Sequence, residues 1–280
     1  MKKLALLGLA FSLSFGAMAQ IQTPQPSPSS TLTQKVGLTD VTVEYSRPSM
    51  RGRTIFGDLV PYGKLWRTGA NQNTIITFSD DVKVGGKDLK AGSYAVFTKP
   101  GEAVWEVIFY ADTNNWGTPQ NWDASKVAAT VKTEVYPVEM PIETFTITID
   151  DITNNDALFG ILWEKVYVGV KFEVPTQQKA MKSIEAAMAG PSGNDYYAAA
   201  SYYLEEGQDI AKAKEWIDKA VAANPNAFWM MRKQSLIYAK SGDKKGAIEA
   251  AKKSLAAAEA AGNADYVKMN KDSLAEWGAK

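Results

Sequence analysis

The sequence predicts two domains of different class: an all-β N-terminal domain, an antiparallel β-sandwich or jelly roll of eight or nine strands, and an all-α C-terminal domain of helical repeats. Three observations carry this. From Thr39 to Phe172, short apolar runs, several with period two, are separated by Gly, Pro, Asn and Asp, the pattern of short strands. Over residues 176–280 the composition turns to Ala, Lys and Glu, prolines fall only at 191 and 225, and the period becomes helical. The change sits at Val174-Pro175, which sets a boundary between a domain at 32–175 and one at 176–280. A closed barrel is the alternative that would use the same strands.

In chain order, Met1-Lys2-Lys3, an apolar run from Leu4 to Phe15 and Ala17-Met18-Ala19 have the layout of a secretory signal peptide over 1–19, with a mature start near Gln20. The apolar run is too short for a membrane span, and no cysteine follows it to take a lipid anchor. The expectation is a soluble periplasmic protein that is not a lipoprotein. Residues 20–31 read as a mobile Pro/Ser linker. The first strand is Thr39 to Ser46, where Thr39, Val41, Val43 and Tyr45 alternate with polar residues until Arg47-Pro48.

Strands follow at Ile75–Phe78, Val82–Val84, Tyr94–Thr98 and Val104–Tyr110, with Gly85-Gly86 as a hairpin signal. Alternation returns at Val127–Val135 and Phe145–Ile149, then at Leu158–Trp163 and Val166–Phe172. In the helical part Ser201, Leu204, Ala213 and Ala220 recur as Ser235, Tyr238, Ala247 and Ser254, each 34 residues later. Small residues at that spacing resemble the tetratricopeptide repeat, although Leu204 and Glu259 depart from its pattern. Flanking helices at 177–189 and 264–277 would complete a short solenoid.

Composition excludes several chemistries. There is no histidine and no cysteine, so Ser-His-Asp and Cys-His catalysis, the usual zinc sites, histidine-ligated haem and disulfides are all ruled out. No cofactor is implied. Without residues 1–19 the chain carries 29 basic and 31 acidic residues, net −2, which gives no reason to expect nucleic acid or an anionic membrane as partner.

The densest feature is the stretch from Glu44 to Thr74. Four of the five arginines, Arg47, Arg51, Arg53 and Arg67, fall within it among Gly, Pro and aromatic residues. Guanidinium forks suit carboxylate or phosphate, and Asn71 and Asn73 would add neutral donors. The competing reading is that the arginines tie carbonyls and acids such as Glu44 and Asp58 into an ordered loop. Trp66, Trp116 and Trp122 lie in loops beside Asn and Asp, as a sugar-stacking platform requires or as caps of the core would also lie. The candidate ligand-binding set is therefore Arg47, Arg51, Arg53, Trp66, Arg67, Asn71, Trp116 and Trp122. Asp150, Asp151, Asn154, Asn155 and Asp156 offer oxygens to calcium, but their spacing fits a polar turn better. Glu44, Glu106 and Asp112 are the acids placed for paired-carboxylate hydrolysis.

Ser46-Arg47-Pro48 with Arg51-Gly52-Arg53, Ile55-Phe56-Gly57, Leu59 to Gly63 and Trp66 to Asn71 resemble the signature of the exported bacterial family called domain of unknown function 2911 (DUF 2911). Ala91 to Tyr94, Trp105, the Asp112 to Gly117 loop and Trp163-Glu164 fit it as well, so the resemblance spans about residues 30–175. It implies an exported β domain, often with a C-terminal tetratricopeptide-like extension, and no particular reaction. Three functions follow as expectations. In the first, a non-enzymatic protein binds an anionic or glycan ligand on the sandwich and docks a protein or peptide on the repeats. The second is a structural or assembly protein without a small ligand, and the third a carboxylate-dependent glycan hydrolase.

Overall fold

The strand predicted first shows how the β unit is built. In Thr39–Ser46 the residues Thr39, Val41, Val43 and Tyr45 are buried and the alternate ones partly or fully exposed until Ser46, so one face joins the core. The computed structural model describes residues 23–279; the signal peptide read at 1–19 lies outside them. Its strands are β1 Ser29–Val36, β2 Thr39–Ser46, β3 Thr74–Phe78, β4 Val82–Val84, β5 Lys87–Leu89, β6 Gly92–Lys99, β7 Val104–Tyr110, β8 Val127–Asp150 and β9 Asp156–Glu173. They form a nine-stranded antiparallel sheet in the order β1-β2-β3-β6-β7-β8-β9-β4-β5.

The long strand β8 connects the two halves of this sheet. Its first part pairs with β7 as far as Glu134, and from Val135 it pairs with β9 instead. Register shifts between Pro137 and Ile142, and again before Thr146, mark where the strand changes course. Beyond β2 the chain then lies along β8: Phe145 N donates to Pro48 O at 2.8 Å and Met50 N to Glu143 O at 2.8 Å. The core of the unit includes Tyr45, Phe56, Trp105, Phe145, Phe159 and Trp163, all buried.

Two expectations need correction. The stretches Val127–Val135 and Phe145–Ile149 belong to one strand, as do Leu158–Trp163 and Val166–Phe172. Prolines 137 and 141 do not end β8, because they lie at its irregular part, where ladder hydrogen bonds are already interrupted. The Pro/Ser segment is also not a free linker throughout. Ser29–Thr31 open β1, and the carbonyls of Pro26, Ser27 and Pro28 accept bonds from Arg51, Asn71 and the Arg47 amide. Extended Pro-rich backbone leaves its carbonyls unpaired and available to such donors.

The chain divides into two units between Val174 and Pro175. The second contains α1 Thr176–Ala187, α2 Gly193–Glu205, α3 Ile210–Ala223, α4 Phe228–Lys240, α5 Lys244–Ala260 and α6 Ala264–Glu276. Gly207 and Gly242 end α2 and α4 at φ 63° and 85°, a conformation that glycine adopts without a Cβ clash. Asp209 and Asp243 then cap the helices that follow. At the repeating positions Ala213, Ala220, Ser235, Ala247 and Ser254 are fully buried, where small side chains let helices approach. The two helical pairs are joined by Asp218, which accepts from Tyr238 at 2.6 Å and Gln234 at 2.7 Å, and by Lys214 paired with Asp243 at 2.8 Å.

Candidate functional site

The stretch of residues 47–73 runs without a named strand or helix before β3, so its backbone needs donors and acceptors from elsewhere. The arginines supply the donors. Arg47 donates to Phe145 O at 3.0 Å and to Thr146 Oγ1 at 2.8 Å. Arg53 donates to Met50 O at 2.9 Å and Ser49 O at 2.7 Å, Arg51 to Pro26 O at 3.1 Å, and Arg67 to Asn71 O at 3.1 Å. Asn71 donates to Ser27 O and Ser46 Oγ. Glu44 and Asp58 are not the arginines' partners. The acids that hold the loop are Glu143, which accepts from Arg51 N, and Glu164, whose two oxygens accept from Ile55 N and Phe56 N.

Strain explains why so many bonds are spent here. Arg51, Thr68 and Asn71 have φ of 51°, 55° and 59°, and Glu164, which grips the loop, has φ 55°. Left-handed backbone costs an L-residue about 1–2 kcal/mol, least for Asn, and most for β-branched Thr68. Thr68 is buried and bonded to both Thr98 and Thr74. Neighbouring bonds offset that cost.

The three loop tryptophans have three different environments. Trp66 is not on an open platform: its ring stacks on Trp163 at 5.9 Å and meets Trp105, Phe145 and Phe56 edge-on. The turn at Thr68-Gly69 folds back beneath it, so that its indole N–H reaches Gly69 O at 3.1 Å. Trp122 stacks on Tyr110 at 4.5 Å and meets Phe97 edge-on, covering a small apolar cluster separate from the main core. Trp116 alone is open, 80% exposed. Its loop is nonetheless fixed. Asn115 and Asn73 exchange two hydrogen bonds at 3.1 Å, and Gly117 (φ 97°) sits against the Arg67 guanidinium.

The acids do not assemble into a hydrolytic pair. Glu44 aligns through Ile75 and Ala95 with Tyr110, whereas Glu106 lies four residues farther along β7. Three strand spacings and four residue rises place them about 19 Å apart, beyond the roughly 5–9.5 Å that paired carboxylates use. Glu106 is flanked by Lys99 and Lys132 at 3.6 and 3.8 Å. A hydrogen bond from Lys126 holds the Asp112 carboxyl below its ordinary range. In the acidic turn, Asp150 bonds Thr148 and Asp156 pairs with Lys171, and no group of acids suited to a metal occurs among the described residues.

The helical unit contains a cavity of about 430 Å³ between α1, α2 and α3. Met181, Ile184, Met188, Tyr196, Tyr203 and Trp216 give it apolar walls; Glu185, Lys212 and Lys219 add charge. Lys212 Nζ lies 5.6 Å above the Trp216 ring and has no carboxylate partner among the described residues, whereas Lys219 is paired with Glu215 at 2.6 Å. The sequence places these aromatics in the solenoid, but which of them stay uncovered depends on how α1 packs. Glu164 was similarly hidden: only its adjacency to Trp163 in the motif marked it.

The chain belongs to the family described as Protein of unknown function (DUF2911), whose model matches residues 27–172, just over half of the sequence. No curated protein matches the chain. Among solved structures, the solution structure of protein BPP2914 from Bordetella parapertussis is 22% identical, with a TM-score of 0.31 over 35% of this chain and 85% of that one.

Proposed function

We propose that this is an exported, periplasmic, non-enzymatic interaction protein, released from a signal peptide over residues 1–19. Its tetratricopeptide-like helices dock a segment of a protein partner, and its arginine-rich β loop serves as a braced scaffold. The observation that carries the reading is the cavity between α1, α2 and α3, whose Met, Ile, Tyr and Trp walls suit one or two large apolar side chains. Lys212 at its edge, without a carboxylate partner among the described residues, favours an acidic residue beside the apolar one. The bonding of the four arginines to carbonyls and a hydroxyl supports the scaffold half.

The test is selection of a displayed random-peptide library on the mature protein. The expected peptides share a large apolar residue flanked by Asp or Glu, and Met188→Glu weakens them by at least about tenfold, a change of 1.4 kcal/mol. Failure to enrich any such peptide, or binding indifferent to Met188→Glu, would overturn the proposal.

A further inference from the structure

We infer that the β unit carries a second site, a saccharide-binding groove beside Trp116, independent of the helical cavity. A groove of about 370 Å³ runs where β1, β2 and the start of β3 meet the end of the arginine-rich stretch. Its lining includes Ser29, Ser30, Thr31, Glu44, Gln72 and Asn73. Of these only Asn73 is committed to the fold, buried and bonded to Thr74 O and Asn115 N. The side chains of the other five form no hydrogen bond or ion pair with any described residue. Their hydroxyl, carboxamide and carboxylate groups therefore remain free for a ligand, unlike those of the adjacent arginines.

The chemistry of the groove selects the ligand class. Glu44 is a carboxylate with no cation among the described residues near enough to pair, so an anionic ligand would be repelled. A carboxylate accepts from two hydroxyls at once, and hydroxyl and carboxamide groups both donate and accept. That combination matches a neutral or amino sugar. Asn73 links the groove to the loop of Trp116, which exposes its ring on an immobilised backbone. Trp116 is the residue after Asn115, which bonds the groove's Asn73, so an exposed ring is carried on the segment anchored at the groove wall. A flat apolar ring near polar groups suits the face of a pyranose, and an anchored backbone lowers the entropy cost of binding.

Chitotetraose, cellotetraose and maltotetraose are the probes, titrated into the mature protein while tryptophan fluorescence and saturation-transfer NMR are recorded. At least one should bind saturably with Kd of about 1 mM or tighter. Trp116→Ala should weaken that sugar by at least about tenfold and Glu44→Gln by a smaller factor, because Gln still donates and accepts. Met188→Glu, in the helical cavity, should leave sugar binding unchanged, so this site and the peptide site fail separately. With its ring in solvent, Trp116→Ala should keep the wild-type thermal midpoint, which excludes misfolding as the cause. The inference is overturned if none of the three sugars gives a saturable response, or if the response survives Trp116→Ala.

Discussion

The arginine-rich loop of the β unit and the cavity of the helical unit differ in what their polar and apolar groups have left to offer. Every guanidinium in the loop donates to a carbonyl or hydroxyl of the protein itself, Arg47 and Arg53 through two bonds and Arg51 and Arg67 through one. In the cavity, methionines, an isoleucine and aromatic rings have uncovered surface, and Lys212 has no carboxylate partner among the described residues. A dense cluster of arginines thus marks backbone that lacks sheet or helix partners, and a plain Ala/Lys/Glu helical stretch can hold the open surface. Unspent capacity identifies a site better than residue type does.

The largest expected effect is a contrast between two tryptophans. Trp66→Ala removes a ring packed against four aromatic neighbours and should cost about 3 kcal/mol, lowering the β unit's midpoint by about 6–12 °C. Trp116→Ala should lie within about 0.5 kcal/mol of wild type. Calorimetry on the full chain checks both, and equal effects would remove the distinction between core and platform.

Next is a contrast among arginines. Arg47→Ala removes the guanidinium donor from Phe145 O and Thr146 Oγ1 in a partly buried position, and should cost about 2 kcal/mol. Arg53→Ala, at an exposed position, should cost less than about 1 kcal/mol. Urea titrations would show this ranking, and the reverse order would make Arg53 the more structural residue.

Smaller effects should follow pH. No histidine is present, so the midpoint should stay flat between about pH 5.5 and 8.5. Asp81, Asp112, Asp123 and Asp156 have their folded values lowered, mainly by side-chain hydrogen bonds from Lys90, Lys126, Ser125 and Lys171. Their contribution is present above the unfolded carboxylate value and is lost as pH falls below about 4. Tyr167 behaves in the opposite sense. Burial, with Asp150 beside it, pushes its phenol up to about 12, so its contribution is full below about pH 10 and lost as pH rises towards 12. Tyr167→Phe should make the alkaline fall in midpoint shallower.

Much of the fold was legible because its signals are local. Alternation in β2 and the Gly85-Gly86 hairpin depend on neighbours in sequence, and the 34-residue offset of small residues on a repeat that the chain itself displays. Strand β1 was missed because Ser and Pro dominate its approach, although Leu32, Gln34 and Val36 alternate into Gly37. The continuity of β8 was hidden by prolines 137 and 141, which are tolerated at the irregular part of its pairing. Site residues were harder. Trp66 and Trp116 sit in similar Gly/Asn-rich surroundings, and what separates them is tertiary: Trp66 packs on Trp163, Trp105, Phe145 and Phe56 and bonds Gly69 O. Ser29, Thr31 and Gln72 carry no motif and become a groove only once β1 lies beside β2.

The most direct test of the account is the thermal midpoint of Arg47→Ala beside wild type, each with and without phosphate and citrate. A brace predicts a fall of about 4–8 °C for the variant without ligand, and midpoints that these anions shift equally in both proteins. An unliganded midpoint equal to wild type, with anions stabilising only the wild-type protein, would contradict it and make the arginine stretch a binding site.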